Sequence, residues 1–108
     1  MDLNDPRVQQ YLKQVEPLLN DKHVGCLHAI IVATPDGPLK DDSGLTCEQV
    51  EEITEYPHQT ASARIRELVQ KNIIKRRGTR RPTKASNGKR SADVYLFNTP
   101  WTSKDQHA

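Results

Sequence analysis

Aromatic side chains are scarce in this 108-residue chain: three tyrosines, one tryptophan and one phenylalanine. RNA recognition leans on exposed aromatics for stacking, and none lies between Pro57 and Val94, which weighs against that class. Long apolar runs are also missing. The longest, Ala29 to Ala33, is five residues, far below the roughly 20 needed to cross a bilayer. With no charged-then-apolar leader pattern at the N-terminus, the expectation is a soluble, cytoplasmic protein without a membrane partner. Two cysteines make no disulfide framework. Cys26-Leu27-His28 has no second Cys/His pair at zinc-site spacing, so both Cys26 and Cys47 read as small buried apolar residues. His23, His28, His58 and His107 are scattered, and no nucleophile–base set, P-loop or glycine-rich dinucleotide turn is present. The chain is therefore expected not to be an enzyme and to carry neither cofactor nor metal.

What is present is charge, unevenly placed. The net charge of +2 hides a split between halves. Residues 1–57 hold four Lys/Arg against eleven acids (net −7), and residues 58–108 hold twelve against three (net +9). From Gln70 to Ala92 nine Lys/Arg occur without a single acid. A solvated surface normally intersperses the two signs, so this asymmetry points to a polyanionic partner. Length allows one domain. A hydrophobic fraction of 34% against 28% charged predicts ragged ends around a compact middle.

Asp5-Pro6 predicts a helix start, an N-cap acid followed by proline at the first helical position. Val8, Tyr11, Leu12, Val15, Leu18 and Leu19 then form an amphipathic stripe. That stripe covers either its own domain or the same helix of a second subunit, a candidate homodimer surface. Asn20-Asp21-Lys22 breaks the pattern, and a second helix is predicted from about Val24 to Thr34, with Leu27, Ile30, Ile31 and Thr34 on one face. Pro35-Asp36-Gly37-Pro38 ends it, and the stretch through Gly44 reads as a polar surface loop.

At Leu45-Thr46-Cys47-Glu48-Gln49-Val50, Thr46 can cap a helix, Gln49 completes a capping box and Leu45 can staple onto Val50. Glu48 in the first turn suits the helix dipole. Val50 and Ile53 are expected to face inward, and Tyr56-Pro57 to end this short helix. Another helix is predicted from about His58 to Lys71, burying Ala61, Ile65 and Leu68. Gln59, Ala63, Arg66 and Gln70 point outward, with Thr60 on the shoulder. Two β-like runs follow, around Ile73-Ile74 and from Ala92 to Phe97. The basic, small-residue segment from about Gly78 to Ser91 lies between them, and its Asn87-Gly88 favours a tight turn. Pro82 fits only a hairpin edge or bulge. A helical pair followed at once by a β-hairpin is the order of a winged helix-turn-helix.

Gly44-Leu45-Thr46, His58-Gln59-Thr60-Ala61-Ser62-Ala63-Arg64 and Glu67-Leu68-Val69 resemble the winged-helix domains of small phage and bacterial DNA-binding proteins. Arg80-Arg81-Pro82-Thr83 and Asn87-Gly88-Lys89-Arg90 are similar to their wing. The resemblance spans roughly residues 24–97. It implies an α+β fold: a three-helix core with a C-terminal β-hairpin wing, here with an extra N-terminal amphipathic helix. The division expected is a helical extension at 1–22, the winged-helix domain at 23–97 and a tail at 98–108. Trp101, in that tail, either folds back on the core or anchors a partner.

The resemblance implies DNA binding and no particular pathway; the function expected is a double-stranded DNA-binding transcriptional regulator. The N-terminal part of the second helix of such a pair reaches base edges, which nominates His58, Gln59, Thr60, Ala63 and Arg66. Gln59 could pair with adenine and Arg66 with guanine. Ser62 and Arg64 are assigned to the DNA backbone, Arg64 alternatively to an ion pair with Glu51 or Glu52. Lys75, Arg76, Arg77, Arg80, Arg81, Lys84, Lys89 and Arg90 would neutralise phosphates, with Arg80 or Arg81 a candidate for the minor groove. The alternative is a winged-helix adaptor docking on polymerase or other nucleic-acid machinery. Such a face should carry large apolar residues, and the outer face of 58–71 carries Gln, Thr, Ala and Arg instead.

Overall fold

Helix α1, Pro6–Val15, starts where the sequence predicts, the Asp5 carboxylate accepting the Arg7 backbone N–H at 2.8 Å. Pro17, which has no N–H to continue the ladder, turns the chain into a short 3-10 segment, Glu16–Leu18. Helix α2, Asp21–Ala33, begins three residues earlier than the expected Val24. Asn20 is not a break but the cap: its side chain accepts the His23 N–H at 2.9 Å, and His23 Nδ1 accepts the Asn20 N–H at 3.2 Å. With Nδ1 an acceptor, the imidazole proton sits on Nε2, 3.1 Å from Glu67 Oε1 on a later helix. Helix α2 ends before Thr34, whose extended backbone is the conformation required of a residue preceding proline.

Helices α3, Cys47–Thr54, and α4, His58–Gln70, follow. The predicted capping box forms: Thr46 Oγ1 accepts the Gln49 N–H, and Gln49 Oε1 accepts the Thr46 N–H. Glu55 in the left-handed region (φ 62°), rather than Tyr56-Pro57, ends α3. Leu27, Ile30 and Ile31 of α2 meet Val50 of α3 and Ala61, Ile65 and Leu68 of α4 in one buried cluster. Each such side chain contributes about 1.5–3 kcal/mol when fully buried. Ile53 is the exception to the expected inward face, 59% exposed. The eight-residue helix meets the core along Cys47, Val50 and Thr54. Ile53 falls to the side, over a shallow hollow shared with Val32, Ala29 and Tyr56.

Strands β1, Ile74–Pro82, and β2, Ser91–Phe97, form an antiparallel hairpin. Ile74 pairs with Phe97 and Arg76 with Tyr95; beyond a register shift, Arg80 pairs with Asp93 and Pro82 with Ser91. Arg77, Gly78 and Thr79 thus face the single Val94, a bulge for which Gly78 supplies a φ of 94°. The strand runs through Gly78, so the turn segment is 83–90, shorter than the expected Gly78–Ser91. Asn87 and Gly88, both at positive φ, make their tight turn at one end of it, Ser86 C=O accepting the Lys89 N–H at 3.1 Å.

The α2–α3 loop is not wholly a surface loop. Ser43, Gly44 and Leu45 are buried where Leu45 exchanges two backbone hydrogen bonds with Tyr95. Helix α1 lays Val8 and Leu12 into the same cluster as α2 and α4, so the apolar stripe covers the chain's own core; Leu18 remains 76% exposed. Tyr11 and Trp101 both meet Phe97, at centroid distances of 5.4 and 6.1 Å, and the Arg7 guanidinium lies 5.0 Å over the Trp101 ring. Trp101 therefore folds back on the core. The whole is α+β, four helices and a two-stranded hairpin. These statements cover residues 1–101, described by a computed structural model. His107 and most of the expected tail lie outside the described residues. Among those described, no helix is long and apolar enough to cross a membrane.

The joint between α2 and the hairpin is a buried hydroxyl. Thr34 Oγ1 donates to Ile30 C=O at 2.7 Å and accepts the Phe97 N–H at 2.9 Å. Thr34→Val keeps the shape and strands that N–H, which should cost about 1–3 kcal/mol. In urea unfolding the midpoint is expected to fall with the slope unchanged; an unaltered midpoint would contradict this role.

Candidate nucleic-acid interface

Three residues, Glu55 to Pro57, separate α3 from α4. Tyr56 anchors this turn on α2: its ring stands against Gly25, where any Cβ would run into the hydroxyl, and Lys22 Nζ lies 4.5 Å over the ring. The turn therefore fixes α4 on α2, burying Ala61, Ile65 and Leu68 and leaving the opposite face outward. Gln59, Arg66 and Gln70 are exposed; Thr60, Ser62 and Ala63 are half-buried. Arg66 has no hydrogen-bond or ion-pair partner among the described residues.

Arg64 pairs with neither Glu51 nor Glu52. Its Nε lies 2.8 Å from Glu67 Oε1, three residues along its own helix, and the same oxygen receives His23 Nε2. The Arg64–Glu67 approach is close in distance but lacks hydrogen-bond alignment, so we read it as charge pairing alone. Glu51 is occupied elsewhere: His58 Nδ1 stands 2.9 Å from its Oε2, and the Cys47 thiol donates to the same oxygen at 3.4 Å. Cys26 is buried as expected, but Cys47 is only partly so. Burial first, then the hydrogen bond to Glu51 and its charge, push the Cys47 thiol up to about 12.

The hairpin cations divide by strand face. Because the partners of Arg76 and Arg80 are two residues apart on β2, the bulge leaves both on one face. There both reach Asp93, at 3.4 and 3.1 Å. Arg77 and Arg81, expected at phosphates, instead bind carbonyls of the α2–α3 loop: Arg77 those of Lys40 and Ser43, Arg81 those of Gly44 and Asp41. Arg81 also donates to Gln49 Oε1 at 2.6 Å. Lys84 Nζ lies 3.4 Å from Glu52. The side chains of Lys75, Lys89 and Arg90 have no such partner among the described residues.

The wing leans on α3. Glu48 accepts the backbone N–H groups of Lys84 and Ala85 at 2.8 and 2.9 Å, which holds its carboxyl below the ordinary glutamate range. Between helices and wing lies a cleft of about 790 Å³. Cys47, Glu48, Glu51 and His58 line it on one side, and Thr83, Ser86, Lys89 and Arg90 on the other. The first residue of α4 and two unpaired cations of the wing therefore share one concave face. The acids on that face each have a partner, which lowers their repulsion toward an anion. Lys75, on the distant end of β1, is not among its lining residues.

Sequence reasoning did not find Glu48, Glu51 or Asp93 as parts of this surface. Glu48 was legible only as a first-turn acid suited to the dipole; its partners lie 36 and 37 positions away. Against family models, curated proteins and solved structures, the chain has no match.

Because the folded-state pKa of Glu48 is depressed, its hold on the wing is complete above the ordinary glutamate value. It is lost as pH falls through the lower folded value. The Lys84 and Ala85 amide resonances are expected to shift with pH at a midpoint below that of a free glutamate, and to lose this titration in Glu48→Gln. A midpoint at or above the free value would refute the contact.

Proposed function

We propose that this chain is a winged-helix protein that binds double-stranded DNA as a transcriptional regulator. Helix α4 would enter the major groove and the wing would lie along the backbone and minor groove. One observation carries the reading: the start of α4 and the unpaired wing residues Lys89 and Arg90 border the same cleft. The element order supports it, because a helical pair leads directly into a hairpin. On this reading Gln59 and Arg66, both exposed, read base edges, and Thr60 and Ser62 contact the flanking backbone. Ala63 permits close approach. Lys89 and Arg90 meet phosphates, whereas Arg77 and Arg81 hold the wing in place and Arg80 is engaged by Asp93 and Ser91. His58 reaches a base only by leaving Glu51.

A second reading, docking on a protein of the nucleic-acid machinery, is favoured by a different surface. Val32 and Ile53, each 59% exposed, flank the hollow beside Tyr56. The two readings make separate demands, since Ile53→Ser should abolish protein docking and leave DNA affinity unaltered.

Fluorescence anisotropy with duplexes selected from a random pool tests the DNA reading. Log affinity should fall linearly with log salt, by about 0.9 per phosphate contacted. In Lys89→Ala/Arg90→Ala the slope should shrink by about 1.8. Gln59→Ala and Arg66→Ala should each remove about 1–3 kcal/mol of discrimination between the selected duplex and one altered at the contacted base. Affinity that stays flat between low and moderate salt would sink the proposal.

A further inference from the structure

The cleft has a second feature, independent of whether it takes DNA. Cys47 and Glu51 are one turn apart on α3, and His58 is the first residue of α4. Their donor atoms, Sγ, a carboxylate oxygen and an imidazole nitrogen, all lie within 4.8 Å of one another. The turn that ends α3 at Glu55 brings the imidazole back over the helix it has just left. All three residues line the cleft.

We propose that Cys47, Glu51 and His58 form a binding site for a zinc-class divalent transition metal. The two separations measured from the shared Glu51 oxygen are close to those of a metal site. Tetrahedral zinc with ligands at about 2.3 Å (S) and about 2.0 Å (N, O) sets sulfur and oxygen about 3.5 Å apart, and nitrogen and oxygen about 3.3 Å apart. The corresponding distances are 3.4 and 2.9 Å. Cys47 Sγ and His58 Nδ1 lie within 4.8 Å of one another, so seating the ion asks His58, whose side chain is 73% exposed, to swing toward the sulfur. The thiol and the imidazole both address the same oxygen, Glu51 Oε2. An ion between the three would displace the thiol proton to solvent, bind sulfur and nitrogen directly and still satisfy the same carboxylate.

Donor chemistry sets the selectivity. One thiolate and one imidazole favour zinc or cobalt over magnesium and calcium, which prefer all-oxygen shells. Three protein ligands leave a fourth tetrahedral position for water or another small donor. The 47–51–58 spacing matches none of the paired Cys/His patterns that identify zinc sites in sequences. Only the α3–α4 turn assembles it.

The test is titration of the tag-free full chain with Co2+, followed by competition with Zn2+ and Mg2+. One equivalent of Co2+ is expected to give a thiolate-to-cobalt charge-transfer band and tetrahedral visible bands. Zn2+ should abolish both, and excess Mg2+ should leave them. Even outer-shell partners contribute about 10–100-fold to metal affinity, so Cys47→Ser and His58→Gln should each weaken binding at least about 100-fold. Cys26→Ala, which touches the other cysteine, should leave it unaltered. His58 is exposed, so His58→Gln keeps the test valid even if Cys47→Ser disturbs folding. Absence of the thiolate–cobalt band, displacement by Mg2+, or unweakened binding in His58→Gln would overturn the site.

Discussion

The placement of everything functional depends on the crossing of the α2–α3 loop over β2. Leu45 and Tyr95 exchange two backbone hydrogen bonds, at 2.8 and 3.1 Å. Gly44, at a φ of 87°, lies so close to the Tyr95 carbonyl and the Val94 side chain that a Cβ would stand 2.7 Å from both. A non-glycine residue there would meet both steric conflict and an unfavourable backbone conformation. The crossing ties the hairpin to the residue just before the Thr46 cap of α3, and α3 is tied through the Tyr56 turn to α4. Arg77 and Arg81 reinforce it by filling the carbonyls of the same loop. Without it, side-chain contacts such as those of Glu48 with the wing backbone and Arg81 with Gln49 would have to hold the wing against α3.

The charge split of the chain acquires a structural meaning in this light. Some acids of the first half are not set apart from the basic half but folded onto it. Glu48 grips the wing backbone, Glu52 approaches Lys84, and Glu51 faces His58. Asp93 neutralises the Arg76–Arg80 face. These pairs are exposed and each contributes little to stability. Their main effect is on which cations stay unpaired, leaving Lys89 and Arg90 at the cleft and Arg66 on α4. A count of nine basic residues thus overstates the positive charge presented at any one surface.

Local structure was legible where it rests on nearest-neighbour chemistry. The Asp5 cap, the Thr46–Gln49 capping box, the inner face Ala61–Ile65–Leu68 and the Asn87-Gly88 turn all depend on residues within a few positions of one another. The misreadings have equally local causes. Asn20 is as good a cap as a breaker, and only the reach of His23 back to its N–H decides between them. Ile53 reads as apolar and inward, yet a helix of eight residues offers a buried face too narrow to include it.

The amino-acid sequence by itself determined the α+β order of elements and the concentration of positive charge after residue 70. Both follow from periodicity, capping and composition, which act over a few residues. Tertiary structure alone decided which arginines bind loop carbonyls, that Glu48 holds the wing, and that Cys47, Glu51 and His58 converge. Those contacts join residues separated by up to about 40 positions or across a left-handed turn. Their existence depends on how helices and hairpin pack, which no local pattern encodes.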